Sequence, residues 1–152
     1  FMVIGPGIKP GSQSDVPVTG WDILPTLTDL AENKHALPPN LDGKSFKPLF
    51  ASSSTHPFKR ENDQLVFHYF GNAHSSIRVG DYKLIKFWKS KKVELYDLKN
   101  DLGELNDISS SNKPKVKELE TRLMTYLESV HAEVLYPSKN TGKKETDDDS
   151  ED

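Results

Sequence analysis

The 152-residue sequence has no cysteine and no long apolar run. A chain without cysteine forms neither disulfides nor thiolate metal sites, so both are excluded. Spanning a bilayer takes about 20 consecutive apolar residues, and no stretch of this sequence approaches that length. We therefore expect no membrane partner, while the lack of cysteine leaves the cellular compartment open.

The chain also has little net charge. The formal net charge is only −3, and the last eight residues, Glu145–Asp152, contain six acids and no base. A short acidic run without apolar residues stays solvated, so residues 136–152 are predicted to form a disordered acidic tail. The remaining chain is mildly basic, and no nucleic-acid partner is predicted.

The first residues form a short apolar run that ends at a turn. Phe1–Ile4 is followed by Gly5-Pro6-Gly7, which predicts a buried strand closed by a loop. A strand that is apolar on both faces is typical of a parallel sheet covered by helices. No partner strand precedes it, so we expect a fragment whose sheet lies in preceding polypeptide.

A short helix is predicted from Asp22 to Glu32, where apolar residues recur at helical spacing. Asp22 is a suitable N-cap, and Pro25 would fall in the first turn, where no intrahelical N–H is lost. After a loop with turn signals, Phe46–Phe50 is expected to be a brief apolar anchor. Residues 51–63 are polar and predict a surface loop.

The middle of the chain contains four segments rich in β-branched and aromatic residues. They are Leu65–Phe70, Ser75–Val79, Tyr82–Trp88 and Val93–Leu98. The links between them are short, and short links produce antiparallel hairpins, with Gly80-Asp81 as a two-residue turn. This stretch is therefore predicted to be a four-stranded antiparallel meander.

A longer helix is predicted to begin near Pro114, which follows Asn112 and Lys113. Its apolar residues recur at three- and four-residue steps and form one stripe. They are Val116, Leu119, Leu123, Leu127 and Val130. One face of the meander can cover this stripe, which predicts an α+β fold: a four-stranded antiparallel sheet packed on a long C-terminal helix.

Five segments, in order, carry a resemblance to a known family. They are Phe1–Gly11, Asp22-Ile23-Leu24-Pro25-Thr26-Leu27, Leu41-Asp42-Gly43-Lys44-Ser45, Ser76–Ile85, and Glu94–Leu98 with Asp101, Gly103, Glu104 and Asn106. Together they resemble the strand-and-turn, the "D-L-x-P-T-L" helix, the "x-D-G-x-S" turn, the "A-I-R-x-G-D-Y-K-L-I" hairpin and the "E-L-Y-D-L … D-P-G-E … N" segment of type I sulfatases, of arylsulfatase type.

The resemblance implies an alkaline-phosphatase-like α/β domain followed by a smaller subdomain. Residues 1–50 would be the tail end of the catalytic domain, with its last strand and helix, and residues 51–135 the sheet-and-helix subdomain. The family's chemistry uses a formylglycine made in a "C/S-x-P-x-R" motif, together with a divalent cation, usually calcium. This chain contains neither that motif nor a "D-N-G"-like metal segment. The resemblance therefore implies no catalytic residue and no metal site here.

Two histidines are the candidate substrate-binding residues. In the family, the strand and loop containing His68 and His74 often face the substrate cleft, and histidine can donate to an anionic sugar or sulfate. The alternatives are a hydrogen-bonded structural histidine for His68 and an exposed loop residue for His74.

Several other side chains have both a functional and a structural interpretation. Arg78, Lys83 and Lys86 would be either a basic stripe for a polyanionic glycan or a solvated sheet face with cross-strand ion pairs. Phe87 and Trp88 would either stack on a sugar or pack under the helix. Asp101 and Glu104 suggest a metal pair, but their turn context favours capping of backbone N–H groups.

The predicted function is that of the C-terminal part of a sulfatase that hydrolyses sulfated carbohydrate or aryl sulfate esters. Its partners would be the missing N-terminal catalytic domain and the sulfated substrate. By resemblance, the location would be periplasmic or extracellular. The alternatives are an anionic-glycan-binding module and a phosphodiesterase or phosphonate hydrolase of the same superfamily.

Overall fold

The chain consists of two compact units, Phe1–Asn62 and Asp63–Asp152. The computed structural model describes residues 2–33, 37–50, 58, 60, 62–69 and 74–133. The units divide after Asn62, whereas the sequence placed a domain boundary after residue 50. The predicted acidic tail, residues 136–152, lies outside the described residues, and the assignment of residues 1–50 to a catalytic domain stays a prediction.

The first unit is built around one short helix, α1, which spans Ile23–Leu30. A 3₁₀ turn, Gly20–Asp22, leads into it, and a second one, Lys47–Phe50, follows later in the unit. The predicted helix is confirmed to within two residues at each end. Where Phe46–Phe50 was expected to be an apolar anchor, the Phe46 side chain is buried.

The strand predicted at the start of the chain does not form among the described residues, and the prediction placed its sheet in preceding polypeptide. Residues 2–4 form no strand, and Met2 and Ile4 are 93% and 95% exposed. A lone segment leaves its backbone groups without ladder partners, and among the described residues none pairs with it.

The buried carboxylate of Asp22 organises the first unit. Asp22 stands at the N-cap position of α1, as predicted, but its side chain makes no capping bond to that helix. It accepts hydrogen bonds from the Thr19 backbone N–H (2.7 Å), the Thr19 hydroxyl (3.0 Å), the Lys44 backbone N–H (2.9 Å) and both terminal nitrogens of Arg60. Burial alone would raise the pKa of Asp22, but the Arg60 and backbone donors together hold it below its usual value.

A close backbone approach explains the Asp42-Gly43-Lys44-Ser45 turn. A Cβ on Gly43 would lie 1.9 Å from the Trp21 carbonyl oxygen, so only glycine fits without a backbone shift. The following residues then bond to α1: the Ser45 hydroxyl donates to Asp29 (2.7 Å) and the Phe46 N–H donates to the Thr26 hydroxyl (3.0 Å). These two hydrogen bonds therefore hold the segment after Gly43 against α1.

The second unit is the predicted meander with its covering helix. The strands are β1 (Gln64–Tyr69), β2 (His74–Val79), β3 (Tyr82–Phe87) and β4 (Val93–Asp97). All neighbours are antiparallel and the order is β1-β2-β3-β4, which confirms the prediction. Gly80 has φ +57°, a conformation that glycine adopts without strain at the first position of a two-residue hairpin loop.

Helix α2 (Lys113–Ser129) covers one face of the sheet. Asn112 caps it by accepting from the Lys115 N–H (3.3 Å), and Pro114 lies in its first turn. The core joins three helix leucines to the centres of three strands. Its fully or almost fully buried members are Ile77, Leu84, Trp88, Leu95, Leu119, Leu123 and Leu127.

The predicted apolar stripe of α2 is correct except at its end. Val130 is the C-cap residue, and its side chain is 51% exposed. Because α2 ends at Ser129, Val130 does not continue the apolar stripe that packs on the sheet. Among the described residues, neither α2 nor α1 is long and apolar enough to cross a bilayer.

Replacing Asp22 with asparagine should destabilise the first unit, because it leaves Arg60 without its counter-charge. We expect a loss of about 3 kcal/mol or more, as for other broken buried ion pairs. A carboxyl whose pKa is lowered by folding stabilises the fold fully above its unfolded pKa, near 3.8, and less as the pH falls through the folded value. The parent chain should therefore lose stability in acid more steeply than Asp22→Asn. Urea unfolding followed by Trp21 fluorescence in a Trp88→Phe background measures both; equal acid profiles would contradict the role of Asp22.

Truncating Leu123 tests the core of the second unit. Leu123→Ala should lower the free energy of unfolding by about 2–5 kcal/mol, because it opens a cavity under α2. Val130→Ala is the matched control on the same helix, and it should change stability by no more than about 0.5 kcal/mol. Urea unfolding followed by Trp88 fluorescence in a Trp21→Phe background gives both values. Similar losses in the two variants would mean that Val130 belongs to the core.

Candidate functional site

The strand register divides the two candidate histidines between opposite faces of the sheet. His68 and Ser75 are cross-strand partners, two positions along from the pair Val66 and Ile77, which packs in the core under α2, so they share the face that α2 covers. His74 directly precedes Ser75 on β2, and because neighbouring side chains of a strand point to opposite faces, His74 lies on the face opposite α2. A single binding surface consequently does not include both histidines.

His68 belongs to a chain of hydrogen bonds on the helix-covered face. The Trp88 indole N–H donates to the Ser75 hydroxyl (2.9 Å), and Ser75 Oγ lies 2.7 Å from His68 Nδ1. His68 Nε2 lies 2.7 Å from the Glu133 carbonyl oxygen, which only accepts, so Nε2 carries a proton. In neutral His68, Nδ1 then accepts from the Ser75 hydroxyl.

This serine–histidine pair resembles a nucleophile with its base, but its surroundings give it a structural role. Ser75 is completely buried, so a substrate carbonyl or sulfur atom has no access to its oxygen. The bonds instead tie β1, β2 and the end of β3 to the segment after α2. The geometry thus favours the structural alternative for His68, and its role in substrate binding stays an untested prediction.

His74 lies in a row of three rings at one end of the sheet. It pairs with Tyr69 on β1 and with Phe87 on β3, and the centroids of its ring and the Phe87 ring are 6.0 Å apart. Tyr69 is 59% exposed. We call Tyr69, His74 and Phe87 the aromatic row. Tyr69 is exposed and His74 and Phe87 are partly buried, so the row presents apolar ring area on one surface.

The predicted basic stripe is not formed. Arg78 and Lys83 are cross-strand partners on the face opposite α2, whereas Lys86 lies on the helix face and pairs with Glu120. Lys83 is held by both oxygens of Glu104 at 2.6 and 2.8 Å. The two lysines are therefore ion-paired, but the predicted cross-strand pairs do not form, because the partners Glu104 and Glu120 lie outside the sheet.

The aromatic pair Phe87 and Trp88 also separates. Trp88 is 5% exposed and packs in the core under α2, as its structural alternative predicted. Phe87 points to the opposite face, where it joins the aromatic row. Only Phe87 of the two is therefore positioned as a candidate for stacking on a sugar.

The acids after β4 stabilise a turn. Asp101 accepts from the backbone N–H groups of Leu105 (3.1 Å) and Asn106 (2.8 Å), which lowers its pKa. Glu104 was expected to act in the same way, but its carboxylate binds Lys83 instead. Within the described part of the chain, no three His, Asp or Glu side chains converge as metal ligands. These residues do not fit a calcium site.

On the sheet face opposite α2, the edge strand β4 carries Tyr96, which is held in its neutral form. Burial, reinforced by the neighbouring Glu94 carboxylate, raises the pKa of Tyr96 to about 12. Glu94 accepts from the Tyr96 hydroxyl (2.9 Å) and from Lys92 (2.6 Å), and the Lys92 bond is the main cause that lowers its pKa. Glu94 is thus an ionised, bonded carboxylate, and it is not poised to act as a general acid.

Sequence reasoning missed the two polar networks that organise the units. Arg60 is separated from Asp22 by 38 residues, and no local pattern links them. The partnership of Ser75 with His68 follows from the hairpin register, which the sequence alone defined only loosely. A correct register would have placed both residues, and Trp88 as well, on the helix-covered face.

Known proteins are similar to this chain in sequence and in fold. Residues 1–133 match the family described as N-sulphoglucosamine sulphohydrolase, C-terminal. Mouse arylsulfatase K is 35% identical over 119 residues, and the Delta 4,5-hexuronate-2-O-sulfatase of Bacteroides thetaiotaomicron is 30% identical over 122 residues. These matches cover 72% and 74% of this chain. A solved structure described as a 2-O GAG sulfatase superposes on 84% of the chain with a TM-score of 0.63 and 26% identity.

The chain is short beside these relatives. It spans 21% of mouse arylsulfatase K, 24% of the bacterial enzyme and 29% of the solved 2-O GAG sulfatase. The match to the family nevertheless extends over both compact units, from the first residue to the segment after α2. The chain therefore belongs to the sulfatases, as a member of the N-sulphoglucosamine sulphohydrolase C-terminal family.

Proposed function

We propose that this chain is the C-terminal part of a sulfatase that hydrolyses sulfate esters of sulfated carbohydrates. In this role it braces the catalytic domain and lines one wall of the substrate cleft. The observation that carries the proposal is the family match over residues 1–133. Two relatives add the substrate class, since one is named as a hexuronate 2-O-sulfatase and the other as a 2-O GAG sulfatase.

The bracing role is supported by the apolar surface of α1. Leu24, Leu27 and Leu30 follow one face of the helix and are 56%, 58% and 47% exposed. Exposed apolar residues in a contiguous patch are typical of a surface that another polypeptide covers. The relatives contain three quarters of their length beyond the matched part, and we propose that this portion, the catalytic domain, covers the patch.

The wall of the cleft is proposed to be the aromatic row. A pyranose ring has an apolar face that packs on aromatic side chains, and Tyr69 and Phe87 supply such surfaces. His74, between them, can donate a hydrogen bond to a sulfate or carboxylate oxygen of the sugar. His68 lies on the opposite, helix-covered face of the sheet, so we do not include it in the wall.

The bond-breaking chemistry is assigned to the rest of the parent protein. Hydrolysis of a sulfate ester needs an activated nucleophile and fixed positive charge around the sulfate oxygens. The only serine–histidine pair described above is inaccessible, and the described acids do not converge on a cation site. Calcium and formylglycine therefore remain proposals for the parent enzyme, as does its periplasmic or extracellular location.

The purified 152-residue chain should release no sulfate from an aryl sulfate or a sulfated disaccharide. Co-expression of the upstream catalytic segment of the parent with this chain should restore turnover, because the chain covers that segment's apolar surface. Sulfate release measured by ion chromatography decides both points. Turnover by the isolated chain, or full activity of the upstream segment without it, would contradict the proposed division of roles.

Substitution of His74 distinguishes the two histidines in the parent enzyme. His74→Gln should raise KM for a sulfated oligosaccharide roughly tenfold with kcat little changed, the effect of losing one hydrogen bond to a charged group. His68→Gln is the matched control: it should lower the melting temperature and leave KM unchanged. Steady-state kinetics and thermal unfolding measure the two effects. A raised KM in His68→Gln alone would reverse the assignment.

A further inference from the structure

A groove of about 740 Å³ lies between α2 and the turn that joins β3 to β4. Trp88 and Met124 contribute apolar surface to it, and Thr121 and Thr125 on α2 contribute hydroxyl groups. Its residues all belong to the second unit, and none of them is part of the aromatic row except Phe87 at its margin. The groove is large enough for about one sugar residue and its substituents.

Positive charge outweighs negative charge around the groove. Three lysines and two glutamates line it. Lys86 and Glu120 pair with each other, and Lys86 also lies 5.5 Å from the centre of the Trp88 ring. Lys91 and Lys117 are exposed, and within the described part of the chain neither side chain forms an ion pair. These two ammonium groups are therefore available to an anionic ligand.

The backbone at Lys91 adds a second observation. Lys91 has φ +57°, a left-handed conformation that costs a lysine more than it costs asparagine or glycine. Backbone strain of this kind is often found at binding sites, which supports a binding role for the ammonium group of Lys91. The position also permits a clean test, because asparagine removes the charge while it fits the backbone better.

We propose that this groove binds a sulfated sugar residue of an oligosaccharide. Lys91 and Lys117 would bind the sulfate oxygens through charge-assisted hydrogen bonds, while the apolar face of the sugar ring packs on Met124. The Thr121 hydroxyl donates to the Lys117 carbonyl oxygen (2.8 Å), so its oxygen would accept from a sugar hydroxyl, and the Thr125 hydroxyl would bond to another. The choice of a sulfated sugar as ligand rests on the proposed function, whereas the groove and its unpaired lysines do not.

Titration of the full 152-residue chain with a heparin hexasaccharide tests this site by isothermal calorimetry. The double variant Lys91→Asn/Lys117→Gln should bind at least about tenfold more weakly, since it loses two charge-assisted contacts. Lys99→Gln is the matched control, because it removes one exposed lysine from a turn at another place in the unit. Its affinity should stay within about twofold of the parent chain. Lys91→Asn alone should unfold at the same or a higher temperature than the parent.

Chemically desulfated hexasaccharide and a polyaspartate of matched charge distinguish sugar sulfate from general anion binding. We expect neither to bind measurably to the groove. An unchanged affinity in the double variant would overturn the proposal, and so would equal binding of either control ligand. Because the readout is binding rather than hydrolysis, such a result would leave sulfate release by the parent enzyme as a separate test of the proposed function.

Discussion

The packing of three leucines of α2 on the centre of the sheet determines which surfaces of the second unit remain accessible for binding. Leu119, Leu123 and Leu127 are almost completely withdrawn from water against the central residues of β2, β3 and β4. This contact commits one sheet face to the core and leaves binding to the opposite face and to the margins of the helix. His68 therefore lies on the helix-covered face, His74 lies on the opposite face, and the basic residues are divided between the two faces.

The first unit depends on a different constraint, the neutralisation of a buried charge. Asp22 begins α1, receives the turn that contains Lys44 and pairs with Arg60, so one carboxylate connects three segments that are distant in sequence. Gly43 permits the close backbone approach on which this depends. The polar groups of α1 are engaged on that side, and Leu24, Leu27 and Leu30 lie on the exposed side of the helix.

The sequence predicted what local patterns determine and missed what long-range contacts determine. Segments rich in β-branched and aromatic residues, joined by short links, predicted the meander, and the leucine spacing predicted α2, because both signals lie within a few residues of each other. The Arg60 partner of Asp22 and the acids that pair with Lys83 and Lys86 come from distant segments, so no spacing rule identified them. Phe1–Ile4 has strand-like composition, but composition alone supplies no ladder partner. The aromatic row emerged only once the hairpin register was known.

The central claim is that this chain completes an enzyme whose nucleophile lies in other polypeptide. Peptide mass spectrometry on the longer protein that contains this chain tests it most directly. The account predicts a "C/S-x-P-x-R" peptide upstream of Phe1 in which the cysteine or serine has been converted to formylglycine. A parent protein without that motif upstream, or with catalytic activity that persists when the motif residue is replaced by alanine, would contradict the account.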